Sequence, residues 1–386
     1  MKPTDSIPLS LYIHFPWCLK KCPYCDFNSH EFTGDLPEQN YINALLTDLE
    51  QDINFFKESR PIESIFMGGG TPSLFSPEAI HSLLENIKKL IPVKSDAEIT
   101  LEANPSTFEN QKFSEFNSAG INRLSIGIQS FNDSLLKNLG RTHNSQMALN
   151  AGEIAHSAGF TNFNLDLMFG LPQGSLKSSL CDIQTAISLK PSHISFYQLT
   201  LEPNTYFHKF PPVLPADDDI FQMQTICQQH LKDHHYQQYE ISAYAQANKQ
   251  CRHNLNYWTF ADYLGIGAGA HGKITQQTTD SRYRYWKLKS PQHYLSAAHS
   301  EQRIGNRTTI AAIELPLEYL MNHLRLNQGF MLSDYKQKTG LPIASLYPAL
   351  QYCIDLKLLT NHRGMVRCTP QGWNFLDRIL EQFCVD

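Results

Sequence analysis

Short apolar runs alternate with helical patterns over the first half of the chain. Six runs of mostly apolar residues have the length and composition of strands, and they cover 10–15, 64–70, 98–104, 123–129, 162–170 and 193–200. Stretches with apolar residues at helical spacing lie between them, at 40–56, 77–90, 109–118, 145–158 and 175–189. Strands separated by helices of this length predict βαβ units and an α/β fold with a parallel sheet.

The pattern changes after residue 202. The segment EPNTYFHKFPPVLPADDD is rich in proline and then acidic, which favours a long connection over a seventh unit. Beyond it we predict a helix at 218–234, a strand at 239–245, and a strand that enters a glycine-rich turn within 262–273. The final segment predicts two or three helices, a hairpin in LLTNHRGMVRCTP and a helix in GWNFLDRILEQF. Three domains follow, at 1–205, 206–305 and 306–386.

Three cysteines in a C-x3-C-x2-C spacing directly follow the first predicted strand. Thiolates from Cys18, Cys22 and Cys25 can hold three irons of a 4Fe-4S cluster and leave the fourth iron open to another ligand. The alternatives are a zinc knuckle and a disulfide. A structural zinc site normally has four ligands. Neither His14 nor His30 completes the usual paired C-x2-C and H-x3-H spacing of such a site. A disulfide framework needs an oxidising compartment, and the other six of the nine cysteines are scattered.

Polar and glycine residues stand at the carboxyl ends of several predicted strands, where α/β barrels place their chemistry. The second strand ends in Gly69, Gly70 and Thr71, and residues without side chains allow close approach of a ligand. A plain tight turn is the alternative. Three further polar residues near such ends, Glu102, Gln129 and Asp166, indicate a common ligand, although a salt bridge or a helix cap would also explain them.

The cysteine loop, with the aromatic Tyr24 just before its last cysteine, resembles the radical S-adenosylmethionine superfamily. The resemblance implies an open, partial (β/α)6 barrel with an added β-containing segment, and S-adenosylmethionine chelated to the open iron. In that superfamily the cofactor carries the radical chemistry and the protein positions it. The same resemblance implies contacts to S-adenosylmethionine from Tyr12, Gly69, Gly70, Thr71, Glu102, Gln129, Arg141 and Asp166.

The resemblance extends over nearly the whole chain and is specific to one branch with two functions. Oxygen-independent coproporphyrinogen III dehydrogenases oxidatively decarboxylate two propionates and continue the loop with a fourth cysteine, where this chain has Phe27. HemW-type haem chaperones carry CDF and HNxxYW, and both are present here, at 25–27 and 253–258. The chaperone interpretation implies haem as cargo, apo haem proteins of the respiratory chain as acceptors, and the cluster and cofactor as structural or regulatory ligands. The dehydrogenase is the alternative.

Two histidines are candidates for touching haem, since imidazole is a common axial ligand of its iron. The chaperone signature indicates His253, and His271 in the glycine-rich turn is the weaker candidate. From chemistry alone, a histidine satisfied by hydrogen bonds in an aromatic core is the more common arrangement. The resemblance changes that balance in favour of haem.

Composition narrows the class of partner. Apolar residues at 41% and charged residues at 18% are ordinary for a globular protein, and a net charge of −5 lacks the basic character of nucleic-acid binders. The small C-terminal domain resembles a winged helix, but its last helix is mixed in charge, which favours docking on the barrel or on a partner protein. Neither a signal peptide nor a spanning segment is recognisable, so we expect a cytoplasmic protein. Peripheral membrane association and a homodimer stay open.

Overall fold

A computed structural model describes residues 7–32, 34–106, 109, 111–276 and 279–384. The predicted helix at 109–118 therefore lies partly outside the described residues. The strands are β1 (Leu9–Phe15), β2 (Trp17–Cys18), β3 (His30–Glu31), β4 (Ile62–Gly69), β5 (Val93–Ala103), β6 (Arg123–Gln129), β7 (Phe163–Phe169), β8 (His193–Gln198), β9 (Gln237–Glu240), β10 (Ala243–Ala245), β11 (Asp262–Ile266), β12 (His271–Thr275), β13 (Arg282–Lys287), β14 (Ile304–Thr309), β15 (Phe330–Met331), β16 (Leu359–His362) and β17 (Met365–Cys368).

The helices follow the strands in regular alternation through the first half of the chain. They are α1 (Glu38–Phe56), α2 (Pro77–Leu90), α3 (Phe113–Ser118), α4 (Asp133–Asn138), α5 (Ser145–Ser157), α6 (Leu176–Ser188), α7 (Tyr206–Lys209), α8 (Asp217–Asp233), α9 (Arg252–Trp258), α10 (Pro291–Ala297), α11 (Leu315–His323), α12 (Leu332–Thr339), α13 (Ala349–Asp355), α14 (Pro370–Asn374) and α15 (Leu376–Leu380). Helix α2 begins where the sequence indicates, because Ser76 caps it by accepting a hydrogen bond from the Ala79 amide and Pro77 fits its first turn.

One twelve-stranded sheet organises the molecule, in the order β14-β13-β12-β11-β1-β4-β5-β6-β7-β8-β10-β9. The six predicted strands are β1 and β4 to β8, and they are parallel neighbours in chain order. The predicted partial (β/α)6 barrel is confirmed. Parallel strands put all their carboxyl ends at one edge of the sheet, so the cysteine loop after β1 lies at the same edge as the ends of β4 to β8.

The segment after residue 205 extends the sheet and departs from the prediction in two places, at 239–245 and at His271. Strand β11 pairs in parallel with β1, so the sheet continues on the far side of the barrel. The predicted single strand at 239–245 is wrong: it forms the antiparallel pair β9 and β10, and Glu240 accepts hydrogen bonds from the Ser242 amide and hydroxyl at the turn. His271 is the first residue of β12 and does not lie in the turn before it.

A buried ion cluster fastens this later part of the sheet to helix α1. Lys287 and Arg303, both fully buried, donate to Asp48 and Asp52 at 2.5–2.8 Å. Burial of four charged groups is tolerated because each is paired and hydrogen-bonded. The cluster therefore fixes β13 and the start of β14 against the first helix of the barrel.

The C-terminal part packs around its own hydrophobic cluster, which includes Leu320, Phe330 and Leu350. Strands β15, β17 and β16 form a small sheet, in which β16 and β17 are the predicted hairpin. The predicted single helix after the hairpin is wrong, because the chain breaks at Phe375 between α14 and α15. Over the residues that the structure describes, no helix combines the length and apolar character needed to cross a bilayer.

Candidate functional site

Two adjoining cavities open at the carboxyl ends of the barrel strands. The smaller, about 160 Å³, is lined by the three cysteines of the loop and by most of the predicted cofactor residues. The larger, about 810 Å³, lies between the cysteine loop, helix α9, strands β11 to β13 and helix α11. Residues common to both walls are Lys21, Cys25, Phe27, Ser29, Gly69 and Glu102. A ligand in one cavity would therefore be a neighbour of a ligand in the other.

The cysteine loop is closed by the short parallel pair of β2 and β3, which brings Cys18 beside Glu31. Each sulfur has a polar neighbour. The Thr71 hydroxyl donates to the sulfur of Cys18 at 3.5 Å, the Arg141 guanidinium donates to that of Cys22 at 3.5 Å, and the sulfur of Cys25 lies 3.6 Å from the Ser29 hydroxyl. Donors of this kind stabilise thiolate sulfur and tune the potential of a cluster.

Burial raises the pKa of the Cys18 thiol to about 11 and also raises the pKa of Cys25. Thiolates at these positions therefore need the positive charge of a bound metal group. A single zinc ion would need several ligands at one point, and no group of three His, Cys, Asp or Glu side chains with that arrangement is found among the described residues. Three partly buried thiols around an open cavity fit the donor set of a cluster with one free iron.

The glycines at the end of β4 are required because a side-chain ring approaches Gly69 closely and backbone carbonyls approach Gly70. A Cβ atom on Gly69, whose φ is +107°, would lie 2.3 Å from the His14 ring, and one on Gly70 would lie 2.5 Å from the carbonyl oxygen of Trp17. The amides of Gly70 and Thr71 donate to the carbonyls of Phe15 and Trp17 at 2.6 and 2.8 Å. The glycine segment thus holds the start of the cysteine loop, and both glycines also line the smaller cavity.

Two half-buried acids, Glu102 and Asp166, face the smaller cavity. Burial, and after it the neighbouring Asp166, raise the pKa of Glu102 to about 8, although the Gly69 amide, which donates to Glu102 at 3.0 Å, partly offsets these two effects. Burial also raises the pKa of Asp166, against hydrogen bonds from Asn164 and Ser125. A cationic group bound in the cavity would restore the charged carboxylates. The amino group of S-adenosylmethionine is such a cation.

Gln129 and Arg141 complete the wall of the smaller cavity. Gln129 ends β6 with φ +69° and accepts a hydrogen bond from the Tyr197 hydroxyl at 2.8 Å. Arg141 donates to the Asn104 side chain and to the Gly127 carbonyl, while its Nε is buried and has no hydrogen-bond partner in the described part of the chain. Burial disfavours the charge of Arg141, yet Tyr24 and Cys22 raise its pKa overall. A cation with an unused donor fits a carboxylate ligand.

Tyr12 lies apart from these cofactor residues. Its ring stacks on Phe66 with centroids 6.4 Å apart, and its hydroxyl bonds to the Nδ1 atom of His14 at 2.9 Å. Tyr12 lines the larger cavity and is absent from the lining of the smaller one. The structure therefore brings seven of the eight predicted cofactor residues together around the smaller cavity and places Tyr12 beside them.

The two predicted haem histidines have different surroundings. His253 is fully buried, lines neither cavity, and uses both ring nitrogens, with Ser64 at 2.9 Å and Tyr257 at 2.8 Å. This is the hydrogen-bonded core histidine of the alternative, and burial lowers its pKa to about 3. His271 is exposed, lines the larger cavity and stacks on Trp286. Of the two predicted histidines, His271 lines the larger cavity and His253 lines neither of the two cavities.

Sequence patterns missed several residues of both walls. Ser125 and Asn104 line the smaller cavity, and pairing of Glu102 with Ser125 across β5 and β6 would have indicated the first of them. In the larger cavity, Tyr257 and Trp258 of the HNxxYW segment supply aromatic surface. Additional lining comes from His30, Tyr263, Lys273, Arg284, Lys289, Met321 and Asn322. These come from separate elements and share no motif, so only the fold brings them together.

The fold and the three-cysteine loop define a protein of the radical S-adenosylmethionine class. The model of the Radical SAM superfamily matches residues 12–177, and that of the HemN C-terminal domain matches residues 310–375. The structure resembles coproporphyrinogen III oxidase (HemN) of Escherichia coli with a TM-score of 0.83 and 21% identity, over 98% of this chain and 90% of that one. At that identity the likeness establishes the fold alone.

Two relatives define the family more closely. The heme chaperone HemW of Haemophilus influenzae is 47% identical over 98% of both chains, and HemW of Escherichia coli is 45% identical over 98% of this chain and 99% of its own. This chain belongs to the HemW family of heme chaperones within the Radical SAM superfamily. The family implies a 4Fe-4S cluster and S-adenosylmethionine.

Proposed function

We propose that this protein binds haem in the larger cavity and transfers it to apo haem proteins, those of the respiratory chain among them. The observation that carries the proposal is a cavity of about 810 Å³ that adjoins the cysteine loop and presents an exposed histidine. Pockets of roughly 300–1,000 Å³ hold ligands the size of cofactors. The relatives that share its full length are named heme chaperones.

The lining of the larger cavity suits a flat, amphipathic tetrapyrrole. Tyr257, Trp258 and Tyr263 supply aromatic surface for stacking, and the exposed Lys289 can pair with a propionate. Burial and the neighbouring Lys289 and Arg284 lower the pKa of His271, so its imidazole is neutral at pH 7 and has a free lone pair for iron. We assign His271 as the iron ligand and give His253 a structural role.

Next to this cavity, Cys18, Cys22 and Cys25 would hold the 4Fe-4S cluster. When bound, the cluster supplies an open iron position for the amino and carboxylate groups of S-adenosylmethionine. Glu102 and Asp166 would face the amino group, and Arg141 would face the carboxylate through its free Nε. The glycine segment at 69–70 keeps the loop close to β1. On this proposal both groups are resident ligands of the chaperone.

The test is an anaerobic haem titration followed by absorbance, with a coproporphyrinogen III assay on the same sample. We expect a Soret band and no decarboxylation. His271→Ala should weaken haem binding by at least about tenfold, whereas His253→Gln should leave the haem stoichiometry unchanged. The matched control is His156→Ala, because His156 is exposed and bonds the Leu189 carbonyl away from both cavities.

Two results would count against the proposal. Decarboxylation without haem binding would assign the larger cavity to coproporphyrinogen and favour the dehydrogenase. A Soret band that is unchanged in His271→Ala but lost in a folded His253→Gln variant would move the haem ligand to His253. Transfer is then measured by the gain of a haem spectrum in an added apo haem protein.

A further inference from the structure

Asn28 connects the cysteine loop to the rim of the larger cavity. It follows Cys25 by three residues, and its side-chain amide donates to the carbonyls of Ala268 and Lys289, both at 2.9 Å. These carbonyls belong to two separate connections, the turn between β11 and β12 and the segment after β13. Three residues after Ala268 the chain reaches His271, and Lys289 itself lines the cavity. One amide thus holds two walls of the cavity against the loop.

The backbone of Asn28 is fixed from the opposite side. The Nε2 atom of His14 lies 2.9 Å from the Asn28 carbonyl, and the Nδ1 atom of the same ring bonds the Tyr12 hydroxyl. A carbonyl only accepts, so Nε2 carries the proton and Nδ1 accepts from the tyrosine. His14 and Tyr12 belong to β1, an interior strand of the sheet that lies between β11 and β4. Asn28 therefore lies between this strand and the two connections whose carbonyls it bonds.

The fit around the Asn28 amide is close and specific. Gly269 has φ +83°, and a Cβ atom there would lie 2.2 Å from the Asn28 nitrogen. An aspartate at position 28 would place acceptor oxygens against two carbonyls, and alanine would leave both carbonyls without this donor. Only a side chain with two donors on one nitrogen makes both bonds at this position.

The short segment between Cys25 and Asn28 fixes the position of Asn28 relative to the cysteine loop. Lys21 donates to the carbonyls of Phe27 and Ser29, both at 3.1 Å, which ties the two ends of the loop together. The Ser29 hydroxyl touches the sulfur of Cys25. Any ligand that fixes Cys25 thereby orders the backbone that presents Asn28. When the first ligand has ordered the loop, the second ligand binds without the entropy cost of ordering it. The two sites are then cooperative.

We propose that Asn28 is a positioning residue that couples occupation of the cysteine loop to haem affinity in the larger cavity. The inference rests on the proposed function. A cluster on the three cysteines orders the loop, Asn28 carries that order to the connections around His271 and Lys289, and haem binds more tightly. Linkage requires the reverse as well, so bound haem must strengthen retention of the cluster by the same factor.

The experiment measures haem affinity by absorbance titration in cluster-loaded and cluster-free full-length protein, without oxygen. In the unmodified chain we expect at least about fivefold tighter binding to the loaded form. In Asn28→Ala this ratio should fall to about one, while haem still binds both forms. The matched control is Gln51→Ala, because the Gln51 amide also donates to a carbonyl of the later sheet region, that of Ala298 at 2.7 Å, without touching the cysteine loop.

Each outcome separates the coupling from the proposed function. A ratio near one in the unmodified chain, or an unchanged ratio in Asn28→Ala, overturns the coupling and leaves haem binding intact. Absence of haem binding in both forms of the unmodified chain overturns the proposed function instead. Should the alanine variant fail to take up iron, Asn28→Ser, which keeps one donor, gives a second test, with an intermediate ratio expected. Retention of iron against a chelator, with and without haem, measures the reciprocal effect.

Discussion

At the scale of single residues, the smaller cavity is unusual for its two neighbouring half-buried acids. Glu102 and Asp166 face the same space, and in the part of the chain that the structure describes their hydrogen bonds come from neutral groups, among them the Gly69 amide for Glu102 and the side chains of Asn164 and Ser125 for Asp166. Because burial, and after it the neighbouring Asp166, disfavour the charge of Glu102, the protein without ligands keeps a proton on Glu102 at neutral pH. The raised pKa of Glu102 lowers the stability of the folded protein, and a cationic ligand in the cavity would offset this loss.

Replacement of Glu102 by glutamine should therefore stabilise the cluster-free protein in a pH-dependent way. The unfolded carboxyl ionises near 4.5 and the folded one near 8, so the folded state binds the proton more tightly and loses stability as pH rises between these values. Glu102→Gln escapes that loss. Its free energy of unfolding should match that of the unmodified chain at pH 4.5 and exceed it by roughly 4 kcal/mol at pH 8.5.

Urea unfolding at the two pH values, followed by circular dichroism, measures the difference. The control is Glu85→Gln, since the Glu85 side chain is exposed and pairs with Lys88, which lowers its pKa. That variant should gain no stability as pH rises. A constant difference between Glu102→Gln and the unmodified chain across the pH range would mean that Glu102 stays charged in the folded state.

His253 shows that a sequence motif can identify a residue without determining the role of its side chain. The sequence marks the histidine, but its role depends on what its ring nitrogens meet. Helix α9 puts His253 and Tyr257 on one face, four residues apart, where they bond to each other and Ser64 takes the remaining nitrogen. His271 carries no comparable signature, yet of the two predicted histidines it is the one that lines the larger cavity, together with His14 and His30.

At the scale of elements, local pattern was sufficient where an element is defined by its own residues. The six barrel strands and helix α2 lie where apolar runs and the helical spacing of apolar residues predict them. Pairing between distant segments was not predictable in this way. Strand β11 lies beside β1 although about 250 residues separate them, and the turn that splits 239–245 depends on how Glu240 bonds Ser242. Such choices are made by tertiary contacts.

Gly69 and Gly120 give a test at this scale, because they have nearly the same φ angle and differ in what surrounds them. Gly69 has φ +107° and would drive a Cβ into the His14 ring, while Gly120 has φ +109° and would meet only Leu84 at 3.5 Å. Gly120→Ala should lower the free energy of unfolding by about 1–2 kcal/mol from backbone strain. Gly69→Ala should lower it by roughly a further 1–3 kcal/mol from the clash.

Only Gly69→Ala should also reduce iron uptake, since His14 supports the loop through Asn28. Iron per chain after anaerobic reconstitution and urea unfolding of the cluster-free protein provide the two measurements. Equal iron content in the two variants would show that the loop tolerates displacement of His14. Equal loss of stability would show that the ring moves aside without cost.

At the scale of the whole molecule, the C-terminal part supplies one wall of the larger cavity. Helix α11 carries Glu318, Met321 and Asn322 at helical spacing, which places the three side chains on one face. Met321 and Asn322 line the cavity, and Glu318 forms a bidentate ion pair with Arg284 of β13. The side chains of Arg284 and Glu318 are 31% and 21% exposed, so solvent screens the pair only in part. This pair fastens the wall to the sheet.

Loss of that fastening should let haem escape faster. In Glu318→Gln the Arg284 guanidinium loses its anionic partner, the contact between helix α11 and β13 weakens, and the wall that carries Met321 opens more often. We expect the rate of haem dissociation to rise by about tenfold, corresponding to roughly 1.4 kcal/mol. The measurement is haem loss to an excess of a haem-scavenging protein, followed by absorbance.

Arg378 and Glu381 provide the control, because Glu381→Gln removes an exposed ion pair in the same C-terminal part. An equal rate in both variants would mean that haem leaves without movement of helix α11, through the side of the cavity that the cysteine loop borders.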